Sequence, residues 1–322
     1  MLKIRVLIDN DLPPASALED GIPQSLAAEH GLAFWIEKDG RAIIFDTGKS
    51  GAFTENAKKL NLDLAAAEAV IISHGHYDHG GGLRALAEES GYRGPLWTGK
   101  GFFDPKWSDD SQKSQVRAAV THSEVSNSAI SHSGITQPAA FQNNTGAQLR
   151  YLGLDVDPSF LESRGISVRE LEISASGTKA EILPGVFIIG GFPRTHREET
   201  IASRFVVDRS GIEADDFSDE VALVIDMPQG LVFLAGCAHP GLMNMLDMVR
   251  SGFGKRLYAV FGGSHLVEAD EDRINTTGDY LASSGISLIA LGHCTGPAAM
   301  EKLSQKLQGL SPLYTGAVYT LG

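Results

Sequence analysis

The sequence predicts an α/β protein built as an αββα sandwich, in which two mixed sheets pack face to face and helices cover the outside. Strand, loop and helix units alternate along the chain on both sides of a polar segment. With 43% hydrophobic residues among 322, the chain can bury a sizeable core. We therefore expect a single domain over residues 1–322, with a Ser/Thr/Asn-rich insertion at about 101–176.

The first half of the chain begins with a strand predicted from the polar–apolar alternation of Lys3 to Ile8. The segment from Ala33 to Asp46 predicts a hairpin, because Asp39-Gly40 supplies a tight two-residue turn. Ala69 to Ser73 has the pattern of a buried strand that leads directly into His74. A glycine-rich loop and then a helix over LRALAEES follow.

The second half repeats this order of elements. Val221 to Gly236 predicts a second hairpin, over a Pro-Gln-Gly turn, and GLMNMLDMVRSG predicts an amphipathic helix that ends at glycine. A strand over LYAVF, a helix around Asp270 to Ser284, a strand over ISLIAL and a helix from Pro297 complete the chain. The insertion between the halves has few apolar runs, and we expect it to be a partly irregular, lid-like segment with one or two helices.

Charge and cysteine content exclude several classes of partner. The formal net charge of −13 argues against nucleic acid or an anionic membrane as a partner, because both require clustered Lys and Arg. The two cysteines fit a reducing compartment. The first residues lack a signal-peptide pattern, and no apolar run is long enough to span a bilayer. We expect a cytoplasmic protein that acts on a small molecule, and the sequence leaves a homo-oligomer open.

A metal-binding motif lies directly after the buried strand, in Ser73-His74-Gly75-His76-Tyr77-Asp78-His79-Gly80. Residues two apart in extended backbone point the same way, so His74 and His76 can bind one ion. Asp78 and His79 continue around the loop and suit a second ion. Imidazole and carboxylate ligands fit Zn²⁺, with Mn²⁺ or Fe²⁺ as alternatives, in one or two sites.

This motif resembles the His-x-His-x-Asp-His signature of the metallo-β-lactamase superfamily, and Phe45-Asp46-Thr47-Gly48 resembles the family's FDTG turn. LAGCAHPG, FGGSHL and LGHCTG resemble a branch named for 7,8-dihydropterin-6-yl-methyl-4-(β-D-ribofuranosyl)aminobenzene 5′-phosphate synthase. The resemblance implies the metallo-β-lactamase fold, and it implies a closing histidine ligand at His293 in a Gly-His turn. It also places a carboxylate or thiolate ligand near Gly236-Cys237.

The chain departs from this family pattern at two ligand positions. No Pro-Gly-His-Thr turn supplies the usual third histidine of the first site, and the usual bridging Asp is absent. We expect His239 to fill one of these gaps. Cys237 is either a ligand or a small buried hydrophobe, and His265 is a ligand, a substrate-binding donor or a helix cap. Cys294 is expected to be a packing residue.

Other polar residues carry weaker expectations. Asp46 is a candidate to fix the tautomer of a ligand imidazole, although a plain turn-forming role is the alternative. Arg194 and His196 follow a predicted strand and could bind an anionic substrate group, or else form an exposed, salt-bridged loop. His30, His122 and His132 lack a metal spacing and are expected to be solvated loop residues.

The resemblance implies a hydrolase that uses a metal-bound hydroxide on a phosphodiester, a phosphate-bearing ester or a lactone, with Asp78 as the catalytic carboxylate. Two alternatives remain open at this stage. One is an iron-dependent redox enzyme on the same fold, and the other is a binding or sensing protein that keeps the metal site without turnover.

Overall fold

The computed structural model describes residues 1–19, 22–112, 141–142 and 148–322. These residues form two compact units. The first unit comprises Met1–Phe103, Leu154–Thr200 and Phe217–Gly322, and the second comprises Asp104–Gly153 and Ile201–Asp216. The last part of the predicted insertion, residues 154–176, thus belongs to the first unit. Residues 113–140, which include His122 and His132, lie outside the described residues, and the single-domain organisation stays a prediction.

The strands of the described residues have the following bounds: β1 (Leu2–Ile8), β2 (Ala33–Lys38), β3 (Arg41–Phe45), β4 (Ala67–Ile71), β5 (Pro95–Gly99), β6 (Trp107–Asp109), β7 (Phe141–Gln142), β8 (Gln148–Tyr151), β9 (Ser167–Leu171), β10 (Thr178–Leu183), β11 (Val186–Gly190), β12 (Phe205–Val206), β13 (Val221–Met227), β14 (Gly230–Ala235), β15 (Leu257–Gly262), β16 (Leu288–Leu291), β17 (Leu310–Pro312) and β18 (Val318–Leu321).

The helices of the described residues are α1 (Ala15–Glu19), α2 (Ala52–Lys59), α3 (Tyr77–Gly80), α4 (Leu83–Glu89), α5 (Pro158–Ser163), α6 (Leu242–Phe253), α7 (Glu271–Ser283) and α8 (Pro297–Lys306). Their ends follow the expected signals. The Asp270 side chain accepts a hydrogen bond from Arg273 N and starts α7, while Gly254 in the left-handed conformation ends α6. Among these helices, none is both long enough and apolar enough to cross a membrane.

Two seven-stranded sheets form the first unit. One has the order β18-β1-β2-β3-β4-β5-β9, and the other has the order β10-β11-β13-β14-β15-β16-β17. Both predicted hairpins are present. In the first, Lys38 pairs with Arg41, and Asp39 and Gly40 have φ of 51° and 82°, as a two-residue turn with both central residues left-handed requires. In the second, Met227 pairs with Gly230.

The main core lies between the two sheets. Ile4, Phe34 and Phe45 from the first sheet belong to the same buried cluster as Leu234 and Phe261 from the second. The outer face of each sheet is covered by helices. On the first sheet these helices are α2 and α4, and on the second they are α6, α7 and α8. This arrangement confirms the predicted αββα sandwich.

The second unit contains a smaller sheet of order β12-β6-β8-β7. Trp107, Leu149 and Val206 form its apolar cluster. Lys106 and Asp215 form a buried ion pair in the same unit, with Nζ and Oδ2 2.9 Å apart.

Polar loops follow the ends of several strands in the first unit. Asp46 follows β3, the histidine motif follows β4, and Asp9 with Asn10 follows β1. In the second sheet, the segments after β14, β15 and β16 carry three further histidines. Because β14, β15 and β16 run parallel, their carboxyl ends lie at one edge of that sheet. The predicted site residues are therefore supplied by loops on rigid strands.

Candidate metal centre

The motif after β4 buries four polar side chains in a short loop and one turn of helix. His74 and His79 are fully buried, and His76 and Asp78 are nearly so. His76 precedes α3 with extended backbone, and its N–H donates to the carbonyl of His74. Asp78 and His79 lie in α3 itself. Burial of so many ionisable groups in one loop is costly unless they are paired or hold a metal ion.

Three imidazoles form a first group, comprising His74, His76 and His239. The ring centroids of His74 and His76 are 4.6 Å apart, and that of His239 lies 4.9 Å from His74 and 5.3 Å from His76. The Phe217 ring stacks on His239 at 3.7 Å and lies edge-on to His76 at 5.3 Å. Phe217 thereby restricts the orientation of both rings.

Asp78, His79 and His293 form a second group. The Nε2 atoms of His79 and His293 are 3.1 Å apart, and Asp78 Oδ2 lies 3.5 Å from His293 Nε2. His30 Nε2 lies 3.1 Å from the same carboxylate oxygen, although the His30 side chain is 53% exposed. His30 is therefore exposed, as expected for a loop residue, but its contact with Asp78 was not predicted from the sequence.

Cys237 lies between the two groups. Its Sγ atom is 3.1 Å from His79 Nε2. Ligand atoms of His74, Cys237 and His239 all lie within 4.8 Å of one another, and so do those of His79, Cys237 and His293. The thiol is therefore close to both groups of imidazoles.

A hydrogen-bond network around Asp46 orients two of these rings. Asp46 Oδ2 accepts from Ser73 Oγ at 2.9 Å and from His79 Nδ1 at 2.6 Å, and its Oδ1 accepts from Ser73 N. Because Ser73 donates its only hydroxyl proton to Asp46, its oxygen accepts from His74 Nδ1 at 3.0 Å. These bonds leave Nε2 of His74 and His79 directed into the site, where a bound metal ion would take the place of a ring proton.

His293 is oriented by residues that follow β1. Its Nδ1 donates to Asn10 Oδ1 at 3.0 Å, and its backbone N–H donates to Asp9 Oδ2 at 3.1 Å. The Asn10 amide in turn donates to the carbonyl of His293. His293 is thus fixed at both backbone and ring, with Nε2 directed towards His79.

Burial and neighbouring charges shift the titration of these groups. Burial lowers the pKa of His239 and of His293 well below the usual value, so both rings are neutral. Burial also lowers the pKa of His79, but the Asp46 carboxylate outweighs it and raises that pKa to about 9. Against the effect of burial, the hydrogen bond from His30 and the nearby imidazoles hold the pKa of Asp78 well below its usual value. Asp78 is therefore a carboxylate.

The donors fit one or two divalent ions of the Zn²⁺, Mn²⁺ or Fe²⁺ type. Nitrogen ligands about 2.0–2.1 Å from a tetrahedral ion lie roughly 3.3 Å apart, which is close to the separation of His79 and His293 Nε2. Such ions accept imidazole nitrogen, carboxylate oxygen and thiolate sulfur, so the Cys237 thiol and the His79 ring, whose pKa is about 9, would each lose a proton when a metal ion binds.

Backbone strain is concentrated at this site. Seven non-glycine residues have positive φ in the part of the chain that the structure describes. Five of them border the site, namely Asp46, Phe217, Ala238, His265 and His293. Such conformations cost about 1–3 kcal/mol each and persist where surrounding contacts hold them. The side chains are therefore held in position at the expense of local stability.

Three other residues predicted from the sequence to belong to the site, His265, His196 and Arg194, lie outside the two groups of metal-competent side chains. The His265 ring lies 4.3 Å from that of His239, but it is half-buried and its ligand atoms belong to none of the three candidate ligand sets found among the described residues. His196 Nε2 hydrogen-bonds to Asp247 on α6, which outweighs partial burial and raises the pKa of His196. Arg194 is exposed. A substrate contact by Arg194 or His196 stays a prediction.

Several residues of the site escaped the sequence analysis. Asp9, Asn10 and Phe217 are described above, and Glu220 is a further example because its Oε2 accepts from His239 N at 3.0 Å. Glu220 is 1% exposed, and its Oε1 has no hydrogen-bond partner among the described residues. Burial, reinforced by Asp219, raises its pKa well above the usual value. Asp9 and Asn10 could have been found, since they too are polar residues at a strand end.

Asp46→Asn tests the orienting network. Asn tolerates the left-handed conformation of residue 46, where φ is 60°, and it keeps the side-chain shape. We expect metal affinity to fall by about 10- to 100-fold, because the bond that fixes His79 is weakened. Competition with a chromophoric chelator measures this, with the exposed, Arg84-paired Asp155→Asn as the matched control. Equal affinity in the two variants would contradict the role of Asp46.

Comparison with known proteins agrees with this geometry. Residues 27–122 match the sequence profile of the metallo-β-lactamase superfamily. Over 298 residues, 88% of each chain, the protein is 26% identical to 7,8-dihydropterin-6-methyl-4-(β-D-ribofuranosyl)-aminobenzene-5′-phosphate synthase of Methanocaldococcus jannaschii.

Two solved structures resemble the whole chain. Tm1679, a metal-dependent hydrolase of the β-lactamase superfamily, is 26% identical with a TM-score of 0.74, covering 100% of this chain and 99% of Tm1679. The metallo-β-lactamase fold protein YhfI from Bacillus subtilis is 11% identical with a TM-score of 0.52, covering 99% and 98% of the two chains. YhfI supports the fold alone.

Proposed function

From the resemblance of the chain to the metallo-β-lactamase superfamily, we propose that it is a metal-dependent hydrolase of a small anionic ester. The substrate classes that we propose are phosphodiesters, phosphate-bearing esters and lactones. One observation carries the proposal. Two groups of buried metal-competent side chains, His74/His76/His239 and Asp78/His79/His293, converge on one place at the strand ends.

These two groups would hold one ion each. When bound, a divalent ion supplies Lewis acidity, which lowers the pKa of water towards neutrality and polarises a C=O or P–O bond. The protein contributes the fixed orientation of the ligands. Asp46, Ser73 and Asn10 hold imidazole tautomers with Nε2 directed inward, so little reorganisation is needed when a metal binds.

Asp78 is the side chain that we assign to catalysis. Its Oδ2 accepts a hydrogen bond from His30 Nε2, and its low pKa keeps it ionised at neutral pH. A carboxylate held in this way can accept a hydrogen bond from a water molecule and direct the water lone pair towards the substrate. Because its pKa is low, Asp78 orients the water more effectively than it removes a proton.

An anionic substrate is consistent with the local charge. Although the chain carries a net charge of −13, bound divalent ions would be the largest charges in the site. The product named for the M. jannaschii relative carries a phosphate ester, which supports a phosphate-bearing substrate. Arg194 is a candidate for a further contact with such a group.

The test is a turnover assay on the reconstituted protein. Protein loaded in turn with Zn²⁺, Mn²⁺ or Fe²⁺ is offered an activated phosphodiester, a phosphate monoester and a lactone. We expect metal-dependent hydrolysis of at least one of them, which a chelator abolishes and fresh metal restores. Tight binding of one of these compounds without turnover of any of them would favour a binding or sensing protein over a hydrolase. Oxygen consumption by the iron form would favour redox chemistry.

A second candidate function is a synthase. It is favoured by the M. jannaschii relative, whose match extends over 88% of both chains. In that case the same metal-ligand groups would bind a phosphate-bearing substrate but promote a condensation. Product analysis by mass spectrometry separates the two functions, because hydrolysis adds water to one substrate whereas condensation joins two.

A further inference from the structure

His30 lies on the solvent side of the second group of metal-competent side chains. Its side chain is 53% exposed, whereas that of Asp78 is 10% exposed and that of His293 is fully buried. The His30 ring lies beside the His293 ring, with centroids 5.0 Å apart and planes tilted by 35°. Ligand atoms of His30, Asp78 and His293 all lie within 4.8 Å of one another, and His30 is the one exposed member of the ligand sets found among the described residues.

The contact between His30 and Asp78 is made at the carboxylate oxygen that is directed towards another ligand atom. His30 Nε2 lies 3.1 Å from Asp78 Oδ2, and the same oxygen lies 3.5 Å from His293 Nε2. A residue that only orients a ligand bonds to the far side of that ligand, as Asn10 does when it accepts from His293 Nδ1. His30 is therefore placed as a ligand is, and not as an orienting residue is.

The separations between these atoms suit donors to one ion. Two ligand atoms bound about 2.0–2.1 Å from a tetrahedral ion lie roughly 3.3 Å apart. The distances from His30 Nε2 to Asp78 Oδ2, from Asp78 Oδ2 to His293 Nε2 and from His293 Nε2 to His79 Nε2 are 3.1, 3.5 and 3.1 Å. Each neighbouring pair in this series thus has about the separation of two ligands of the same ion.

The backbone on both sides of His30 is fixed. The Glu29 carboxylate accepts from the backbone N–H of Ser50 at 2.9 Å and from its hydroxyl at 2.6 Å. At Gly31, a Cβ atom would lie 2.7 Å from the carbonyl oxygen of Asp78, so glycine lets the chain pack directly against α3. The freedom that is left to His30 is therefore rotation of its exposed side chain.

An exposed ligand is compatible with the proposed hydrolase. A catalytic metal ion needs a position that water or substrate can occupy, whereas a structural ion is enclosed by its ligands. Asp78, His79 and His293 are buried, so they cannot leave an ion without disrupting their surroundings. His30 can turn into solvent by side-chain rotation alone, and it can therefore bind the ion and still give up its position.

We propose that His30 binds through Nε2 as an additional protein ligand of the ion held by the second group. The inference rests on the proposed function, since it requires that Asp78, His79 and His293 bind metal. On binding, the His30 Nε2 proton passes to solvent and Nδ1 takes up one proton, so the imidazole stays neutral and no electrons are transferred. The hydrogen bond between His30 and Asp78 is replaced by two bonds to the same ion.

Coupling between nitrogen and cadmium tests the proposal without turnover. Full-length protein with ¹⁵N-labelled histidine rings is loaded with two equivalents of ¹¹³Cd²⁺, and the ring nitrogens are observed by NMR. A nitrogen bound to ¹¹³Cd²⁺ gives a split signal, whereas a nitrogen that is only hydrogen-bonded does not. We expect the His30 Nε2 signal, identified by its loss in His30→Gln, to be split. His30→Asn provides the same identification if His30→Gln does not fold.

His196 is the matched control in the same spectrum. Its Nε2 contacts the Asp247 carboxylate at 2.8 Å, so it forms the same kind of pair as His30 and Asp78. It lies outside the two groups of metal-competent side chains. We expect the His196 Nε2 signal, identified by its loss in His196→Gln, to stay unsplit.

The outcomes separate failure of this inference from failure of the proposed function. Split signals from His79 and His293 with an unsplit signal from His30 would overturn the role of His30 and leave the metal centre intact. Splitting at both His30 and His196 would show that Cd²⁺ binds any accessible histidine, and it would also overturn that role. No split signal from any histidine would overturn both the inference and the metal centre on which the proposed function depends.

Discussion

Asp78→Ala is expected to lower metal content by one equivalent and to reduce kcat/KM by roughly 10²- to 10⁴-fold on whichever ester is turned over. The reason is geometric. Asp78 is 7% exposed and lies between His30 and His293, so Ala removes a carboxylate that no neighbouring side chain replaces within the second group. Elemental mass spectrometry and steady-state kinetics on the same preparation measure the two effects.

Asp155→Ala is the matched control for this variant. Asp155 carries the same functional group, but it pairs with Arg84 at an exposed site. We expect its metal content and kcat/KM to equal those of the wild type, because surface ion pairs contribute little. If Asp78→Ala retained full metal content and activity with an unchanged thermal transition, Asp78 would be excluded from both roles.

The second large effect is expected from Asp9. Burial raises the pKa of this carboxyl to about 7 from 3.8. A folded-state pKa above the unfolded value means that Asp9 favours folding below about pH 4, and that this contribution is lost as pH rises through about 7. Since one pKa unit corresponds to about 1.4 kcal/mol, the loss amounts to roughly 4 kcal/mol.

Asp9→Asn removes this titration. At residue 9 an amide oxygen can still accept from His293 N, as Asp9 Oδ2 does. We therefore compare the free energies of unfolding of the metal-free variant and the metal-free wild type. The value for Asp9→Asn minus the value for the wild type is expected to increase by up to about 4 kcal/mol as pH rises from about 4 to 8. Urea titrations at a series of pH values measure the difference. Parallel pH dependences would show that Asp9 does not titrate in this range.

Much of the fold follows from local sequence signals. Asp39-Gly40 specifies a two-residue hairpin because both residues tolerate positive φ, and Met227 to Gly230 closes the second hairpin as expected. The strands β15 and β16 and the helix that starts after Asp270 also lie where the sequence predicts them. Each of these signals involves residues that are close together in the chain.

Less of the candidate site than of the fold could be predicted from the sequence. The motif from His74 to His79 is local, and it could be recognised from spacing. The residues that orient the ligands are distant in sequence. Asp9 reaches the His293 backbone across 284 positions, and Asp46 reaches His79 across 33. Which strand ends meet depends on the order of strands in two sheets, and side-chain spacing does not encode that order.

His30 and Cys237 illustrate the same limit. His30 has no neighbouring ligand in the sequence, yet its ring contacts Asp78 because the two loops meet in the folded chain. For Cys237, ligand and hydrophobic roles were both compatible with the sequence. Only the distance of its Sγ from His79, 3.1 Å, favours a ligand.

Metal content is the measurement that tests the central claim most directly. Tag-free wild-type protein is analysed by elemental mass spectrometry beside Asp78→Ala and His239→Ala. We predict about two equivalents of Zn²⁺, Mn²⁺ or Fe²⁺ in the wild type and about one in each variant, because each substitution removes a ligand from one group. Wild-type protein without stoichiometric metal, even after incubation with these ions, would contradict the claim that these buried side chains form a metal centre.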